Sequence, residues 1–336
     1  HEDIVKYSPP LADKVAALTS KGLAYVVDQV VRTVGPPAED NVLPMDGEHA
    51  SHGLRLDQLI VGMLDRIVEV ADRNISDVTE VSGVRTGLFD LDRVISGLQP
   101  GTLTLMAGRP LTGKTAFALH VAQHVGTVEG LPVILYSSKT SAQQTTERIV
   151  SSIGDISPFH LRNARLTEDE WPRLVDAMER LRNALVCVVD RHLTLPELRS
   201  ETHRQAKLWG GLGAIVVDSI QDLVGDDEED LEKICRDLKK LAREFNCPVL
   251  ATSSLPRSVE ARADKRPMLG DLNELGDVNL HTDVVLFAYR SVVYNRDTPE
   301  RDVLEVIIAK QRDIDLIGTV KVAFSSTGRL GNLSAQ

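Results

Sequence analysis

The densest chemical signal in the chain is the run Gly108-Arg109-Pro110-Leu111-Thr112-Gly113-Lys114-Thr115, which reads G-x-x-x-x-G-K-T. An apolar stretch, Leu103 to Ala107, precedes it, and a helical pattern, Lys114 to His124, follows it. A strand that passes into a helix through such a loop turns its backbone N–H groups toward phosphate oxygens, and glycine at the tight positions lets the backbone come close. Lys114 then supplies a point charge to the β- and γ-phosphates, the Thr115 hydroxyl becomes a Mg²⁺ ligand, and Ala116 continues the binding turn. The expected ligands are ATP and Mg²⁺.

Such a site needs a carboxylate at the end of a neighbouring strand to hold the metal shell. GAIVVDSIQDL supplies Asp218 after four apolar residues. Capping of the following turn is the other use for an Asp there. Gln221 lies within reach of the same end, to sense the γ-phosphate or to face the next layer. Hydrolysis further requires a group that orients or deprotonates water, commonly Glu. Where that acid is expected, after VILYSS, the chain carries Lys139. Lys310 and Arg312 close another strand two residues apart, so both can point the same way. Local spacing alone favours ordinary strand-end charges for this pair.

These residues need a scaffold of parallel strands. Short apolar runs at Leu103 to Ala107, Val133 to Ser137, Leu185 to Val189, Ala214 to Asp218, Val249 to Thr252, Val284 to Tyr289 and Leu304 to Lys310 are separated by helical patterns. The clearest helical patterns are Lys114 to His124, Glu168 to Arg182, Leu195 to Trp209 and Leu231 to Glu244. This alternation predicts an α/β domain with a mainly parallel central sheet. Ahead of it, Leu11 to Val34 has helical spacing and is stopped by Gly35-Pro36-Pro37. A Pro- and Gly-containing linker follows, and then Leu56 to Ala71 forms a second amphipathic helix whose wide apolar stripe needs a partner. The expected organisation is an N-terminal helical segment (1–35), a linker with a docking helix (36–76, helix 56–71) and an ATP-binding domain (77–336).

The bulk properties narrow the class. A hydrophobic fraction of 42% with no membrane-length apolar run predicts a soluble chain, and the opening residues show no export signal. Cys187, Cys235 and Cys247 lack metal-ligand spacing and lie in or beside apolar stretches, as core thiols of a reducing cytoplasm do. The net charge of −11 argues against coating nucleic acid by bulk electrostatics, so any nucleic-acid site must be a local basic channel. The acidic run Gly225 to Asp230 reads as a solvated loop before a helix with a basic far end.

The order of motifs resembles the C-terminal motor domain of the DnaB-type bacterial replicative helicases. The segments that carry the likeness are GVRTGLFDLDRVISGLQPGTLTLMAGRPLTGKTAFAL, VVDSIQDL, RSVEARADKRPMLGDLNELG, HTDVVLFAYR and IIAKQRDIDLIGTV. The resemblance spans roughly Asp77 to Asn332. It implies a RecA-like ATPase fold, a homo-oligomeric, hexameric ring and translocation on single-stranded DNA. It also implies that the helix Leu56 to Ala71 docks on a neighbouring subunit, and that Lys310 and Arg312 act in trans on a neighbour's nucleotide.

Several positions depart from the family pattern. Ser137-Ser138-Lys139 replaces Ser-Leu-Glu, whose Glu is the catalytic base. Ser253-Ser254-Leu255-Pro256-Arg257 replaces Ser-Gln-Leu-Asn-Arg, and Asn273 stands where a basic residue lies near the DNA path. The expectation is an ATP-binding, nucleotide-controlled oligomeric scaffold or regulator in DNA metabolism with weakened hydrolysis. The alternative is an active ATP-dependent helicase on single-stranded DNA. A recombinase of this branch would carry an upstream zinc-binding cysteine cluster, and a clock-type relative would carry paired motor domains; neither occurs in the sequence.

Overall fold

The computed structural model describes residues 81–223, 231–314 and 316–333. The chain divides into two compact units, His1–Glu80 and Val81–Gln336, and the description concerns the second. The expected helices Leu11 to Val34 and Leu56 to Ala71 lie outside the described residues, as does the acidic run Gly225 to Asp230.

Helix α1 (Phe89–Ile95) leads into strand β1 (Leu103–Gly108) and helix α2 (Lys114–Thr127). Strand β2 (Val133–Tyr136) is followed by three helices, α3 (Ala142–Gly154), α4 (Pro158–Arg162) and α5 (Glu170–Arg182). Then come β3 (Val186–Val189), α6 (Leu195–Trp209), β4 (Ala214–Val217), α7 (Leu231–Phe245) and β5 (Val249–Ser254). The described chain ends with α8 (Val278–His281), β6 (Val284–Tyr289), β7 (Val303–Gln311), β8 (Gly318–Phe324) and β9 (Leu330–Asn332).

Nine strands form one sheet in the order β3-β2-β4-β5-β1-β6-β7-β8-β9. From β3 to β6 neighbouring strands run parallel; from β6 to β9 they run antiparallel. The parallel strands read as unbroken apolar runs because both faces are covered. Side chains alternate along β1: Leu103, Leu105 and Ala107 enter one core with Leu198 of α6 and Ile234, Cys235 and Leu238 of α7. Met106 enters the other core with Leu91 of α1, Phe117 and Val121 of α2 and Ile149 of α3. The three cysteines are free thiols, two of them buried. No helix among the described residues is long and apolar enough to cross a membrane.

The mainly parallel α/β sheet expected from sequence is the architecture found. Helix α3 is absent from the sequence reading; its interior face mixes polar and small residues, Thr145, Ser151 and Ser152, with Ile149 and Val150, so no run of large apolar residues marks it. It nonetheless starts on a capped turn, where Ser141 accepts from the Gln144 N–H. Strand β8 also went unread, since along it only Val320 and Val322 are buried.

Candidate nucleotide site

Strand β1 lies between β5 and β6, so the loop it feeds emerges at the middle of the sheet's carboxyl edge. At Gly108 any side chain is excluded: a Cβ would fall 2.8 Å from the Ala288 carbonyl oxygen and 2.8 Å from Thr112 Oγ1. Gly113 has φ 104° and caps α2, a conformation that disfavours residues with a Cβ. Between them Leu111 adopts φ 67° with its side chain 83% exposed at the tip of the loop.

Arg109 closes the loop on both sides. Its carbonyl accepts from Thr112 Oγ1 at 2.7 Å and from Lys114 Nζ at 2.9 Å. Its guanidinium donates to the Leu255 carbonyl at 2.6 Å and pairs with Glu260 at 2.8 Å, which ties the loop to the segment after β5. Burial lowers the Lys114 pKa to about 8; Asp218 opposes that shift, while Arg109 and Lys139 add to it. A partly desolvated ammonium of this kind gains charge stabilisation from an incoming phosphate.

Asp218 directly follows β4, and Thr252 of β5 donates to its Oδ1 at 2.5 Å, which fixes one carboxylate oxygen. Its other oxygen and the Thr115 hydroxyl form no hydrogen bond among the described residues. No cluster of three or more His, Cys, Asp or Glu suited to a metal occurs among them either. One hydroxyl and one carboxylate are the sparse donor set that suits Mg²⁺, which takes its remaining ligands from phosphates and water. The residues therefore fit the expected ion.

Gln221 lies on a one-turn 3₁₀ segment, Ile220–Leu223. Its Nε2 donates to Ser253 Oγ at 2.8 Å and its Oε1 accepts from the Ser254 N–H at 3.3 Å, so it is fastened to the end of β5. Lys139 stands just beyond β2 and is not unpaired. Its Nζ lies 2.8 Å from Asp222 Oδ1 and donates to Ser219 Oγ at 3.2 Å. The other Asp222 oxygen accepts from the Ser219 N–H and hydroxyl, both at 3.1 Å. Sequence reasoning passed over Asp222; its only signal is a carboxylate one helical turn after Asp218.

Lys310 and Arg312 point to one place, as their spacing allows. Lys310 Nζ donates to the carbonyls of Asn279 and Thr282 at 2.6 and 2.8 Å, and Arg312 donates to that of Leu280 at 2.8 Å. That place is the sheet's opposite edge. Asp283, 3.4 Å from Arg312, is level with Leu103 at the start of β1, whereas the phosphate loop begins at Gly108. At 3.3 Å per residue the two edges are about 17 Å apart. Neither cation serves the loop of its own chain.

A cavity of about 250 Å³ adjoins the loop, lined by Thr115, Ala116, Leu119, Arg148, Ser152 and the turn Ser326 to Gly328. Thr115 and Ala116 open α2, so the cavity continues directly from the first turn of that helix.

The family model for the DnaB-like helicase C-terminal domain matches residues 83–329, which include the loop, Asp218, Lys310 and Arg312. The chain belongs to that family. Among curated relatives, the replicative DNA helicase DnaB of Geobacillus stearothermophilus is 38% identical over 284 residues, 82% of this chain and 61% of the relative. The replicative DNA helicase DnaC of Bacillus subtilis strain 168 is 37% identical, covering 79% of this chain and 59% of the relative. The chain thus spans about three-fifths of the length of these two helicases. One solved ATPase domain superposes with a TM-score of 0.73 at 32% identity, covering 80% of this chain and 98% of that domain. A DnaB-like replicative helicase, solved in a study of its interactions with primase, superposes with a TM-score of 0.72 at 28% identity, covering 94% of this chain and 76% of that one. Within the matched segment, Lys139 and Asp222 form an ion pair at 2.8 Å beside Asp218.

Proposed function

We propose that this chain is an ATP-binding module of the DnaB family that works as a nucleotide-controlled oligomeric scaffold in DNA metabolism, with slow turnover. The observation that carries this reading is Lys139, held 2.8 Å from Asp222 at the carboxyl ends of β2 and β4. In ATP binding, the loop N–H groups and Lys114 hold the phosphates, and the cavity beside Thr115 and Arg148 receives the base and sugar. Thr115 and Asp218 would hold Mg²⁺, which supplies charge neutralisation across the phosphates. A protonated Lys139 cannot take a proton from water. Its charge attracts the phosphates in the ground state as well as in the transition state, and that favours binding over rate.

Oligomerisation gives the opposite edge its use. Because the Lys310 and Arg312 side chains bond carbonyls at the edge where β1 begins, about 17 Å by strand rise from the loop at its other end, any role in phosphate chemistry requires the loop of a neighbouring copy. Lys310, now resting on neutral carbonyls, exchanges them for phosphate oxygens at little cost, whereas Arg312 also gives up its contact with Asp283.

One observation favours an active motor on single-stranded DNA. Asp222 returns a carboxylate to the region from which residue 139 has lost one, and it can accept a proton once Lys139 turns to the phosphates. Steady-state ATP hydrolysis, with and without single-stranded DNA, separates the readings when Lys139→Glu and Asp222→Asn are compared with the parent. The scaffold reading expects tight ATP binding, turnover near background and at least a tenfold rise with Lys139→Glu. Fast, DNA-stimulated turnover that collapses in Asp222→Asn would replace it with the motor reading.

A further inference from the structure

A second polar cavity lies on the α2 side of the sheet, toward the far end of that helix. It measures about 540 Å³ and is lined by His120, Gln123, His124, Ser152, Arg180 and Arg329, with Thr127, Val128, Ile153 and Leu330 completing the wall. In a chain of net charge −11, this wall contains two arginines and two histidines and no carboxylate.

Its polar groups are left open toward one another. His120 is 9% exposed, and neither ring nitrogen has a hydrogen-bond partner among the described residues. Gln123 Oε1 is likewise buried without a partner. His124 stacks on His120 with ring centroids 6.3 Å apart, and its Nε2 faces Glu129 at 3.4 Å. Glu129 is itself engaged by Arg85 at 2.7 Å, so its charge is already matched outside the cavity. The histidines pack this closely under the preceding turn because Gly87 has no side chain; a Cβ there would fall 2.6 Å from His124 Nδ1. The Arg329 guanidinium, at the rim, forms no hydrogen bond or ion pair among the described residues. Arg180 is shared with Asp176 at 3.0 Å on the exposed face of α5.

A buried imidazole with two unpartnered nitrogens is costly unless something completes it. Burial, His124 and Arg329 together lower the His120 pKa to about 4, so at neutral pH the ring is neutral and offers one N–H and one lone pair. The guanidinium and the ring N–H call for an acceptor of negative charge. Gln123 Oε1 calls for a donor on the same ligand. A partly protonated phosphate or phosphate monoester carries both.

We propose that this cavity is a second anion site, distinct from the phosphate loop, which takes inorganic phosphate or the phosphate group of a small monoester between Arg329 and the His120–Gln123 face. The site is placed to communicate with the nucleotide. Ser152 lines both this cavity and the one beside Thr115, and Arg329 directly follows the Ser326 to Gly328 turn that walls the latter. Occupancy here restrains that turn.

Isothermal titration calorimetry of the full chain with inorganic phosphate tests the proposal in the Lys114→Ala background, where phosphate affinity of the loop is strongly weakened. Saturable phosphate binding should persist in Lys114→Ala and weaken at least tenfold when Arg329→Gln is added. Arg329 is exposed, so that change leaves the core intact. A His120→Asn variant, which keeps polar atoms in the cavity, should also weaken binding, and phosphate should shift the His120 ring resonances in the ¹H–¹⁵N spectrum of Lys114→Ala. Loss of all phosphate binding in Lys114→Ala, or binding indifferent to Arg329→Gln, would overturn the proposal. Neither result bears on ATP turnover, so the scaffold reading fails or stands separately.

Discussion

The two edges of the sheet handle positive charge differently. At the carboxyl edge Lys114 sits on the carbonyl of its own loop, partly desolvated, with the Asp218 carboxylate opposing that loss of charge. At the opposite edge Asp283 takes the Leu103 N–H at 2.8 Å and Lys239 at 2.6 Å and lies 3.4 Å from Arg312, while Lys310 rests on carbonyls. The first arrangement is held ready for a ligand; the second is largely satisfied and pins strand starts together. Lys114, which faces the loop, is kept partly unmatched, whereas Lys239, which ties strand starts together, is paired and buried.

Three substitutions or conditions bear on that contrast. Lys114→Ala should lower ATP affinity by more than about a hundredfold, since a charge-assisted phosphate contact is lost, while the unfolding midpoint changes little. Equilibrium binding of a fluorescent ATP analogue, together with thermal denaturation, measures both. A large fall in stability would mean that the loop cation, too, serves the fold.

Asp283→Asn should do the reverse. It leaves buried Lys239 without its carboxylate, and removing one member of such a pair costs about 3 kcal/mol. Chemical denaturation should show that loss, with nucleotide binding retained below the unfolding midpoint. If binding disappears first, the two edges are coupled rather than separate.

The smallest effect concerns pH. With its folded-state pKa lowered to about 8, Lys114 holds fewer protons in the folded protein than in the unfolded chain between about pH 8 and the ordinary lysine range. The fold therefore gains stability as pH rises through that window. Bound phosphate restores the charge, so ATP binding takes up a proton there, and affinity should fall by up to about tenfold per pH unit above pH 8. Calorimetry in buffers of different ionisation enthalpy detects the proton. Binding enthalpies independent of buffer at pH 9 would place the Lys114 pKa outside this range.

Much of the site was readable in the sequence because it is local. The candidate phosphate loop is one continuous run between a strand and a helix, and Asp218 follows its own apolar strand, so spacing alone singled out both. The parallel sheet was readable for a related reason: strands buried on both faces are continuous apolar runs. Helix α3 and strands β8 and β9 were not, since their interior positions are polar, small or few. Asp222 was missed because its only local signal is its spacing from Asp218; its ion-pair partner, Lys139, follows a different strand far away in sequence.

Sequence by itself determined the mainly parallel sheet and the family to which the chain belongs, because each is encoded in contiguous patterns whose backbone geometry follows from residue type. Tertiary structure alone decided which charges meet. It put Lys139 against Asp222, fastened Gln221 to the end of β5, placed Lys310 and Arg312 on the edge away from their own loop, and gathered His120 and Arg329 around one cavity. Electrostatic and hydrogen-bond interactions act over a few ångströms, and only the crossing of strands brings residues from distant parts of the chain within that range.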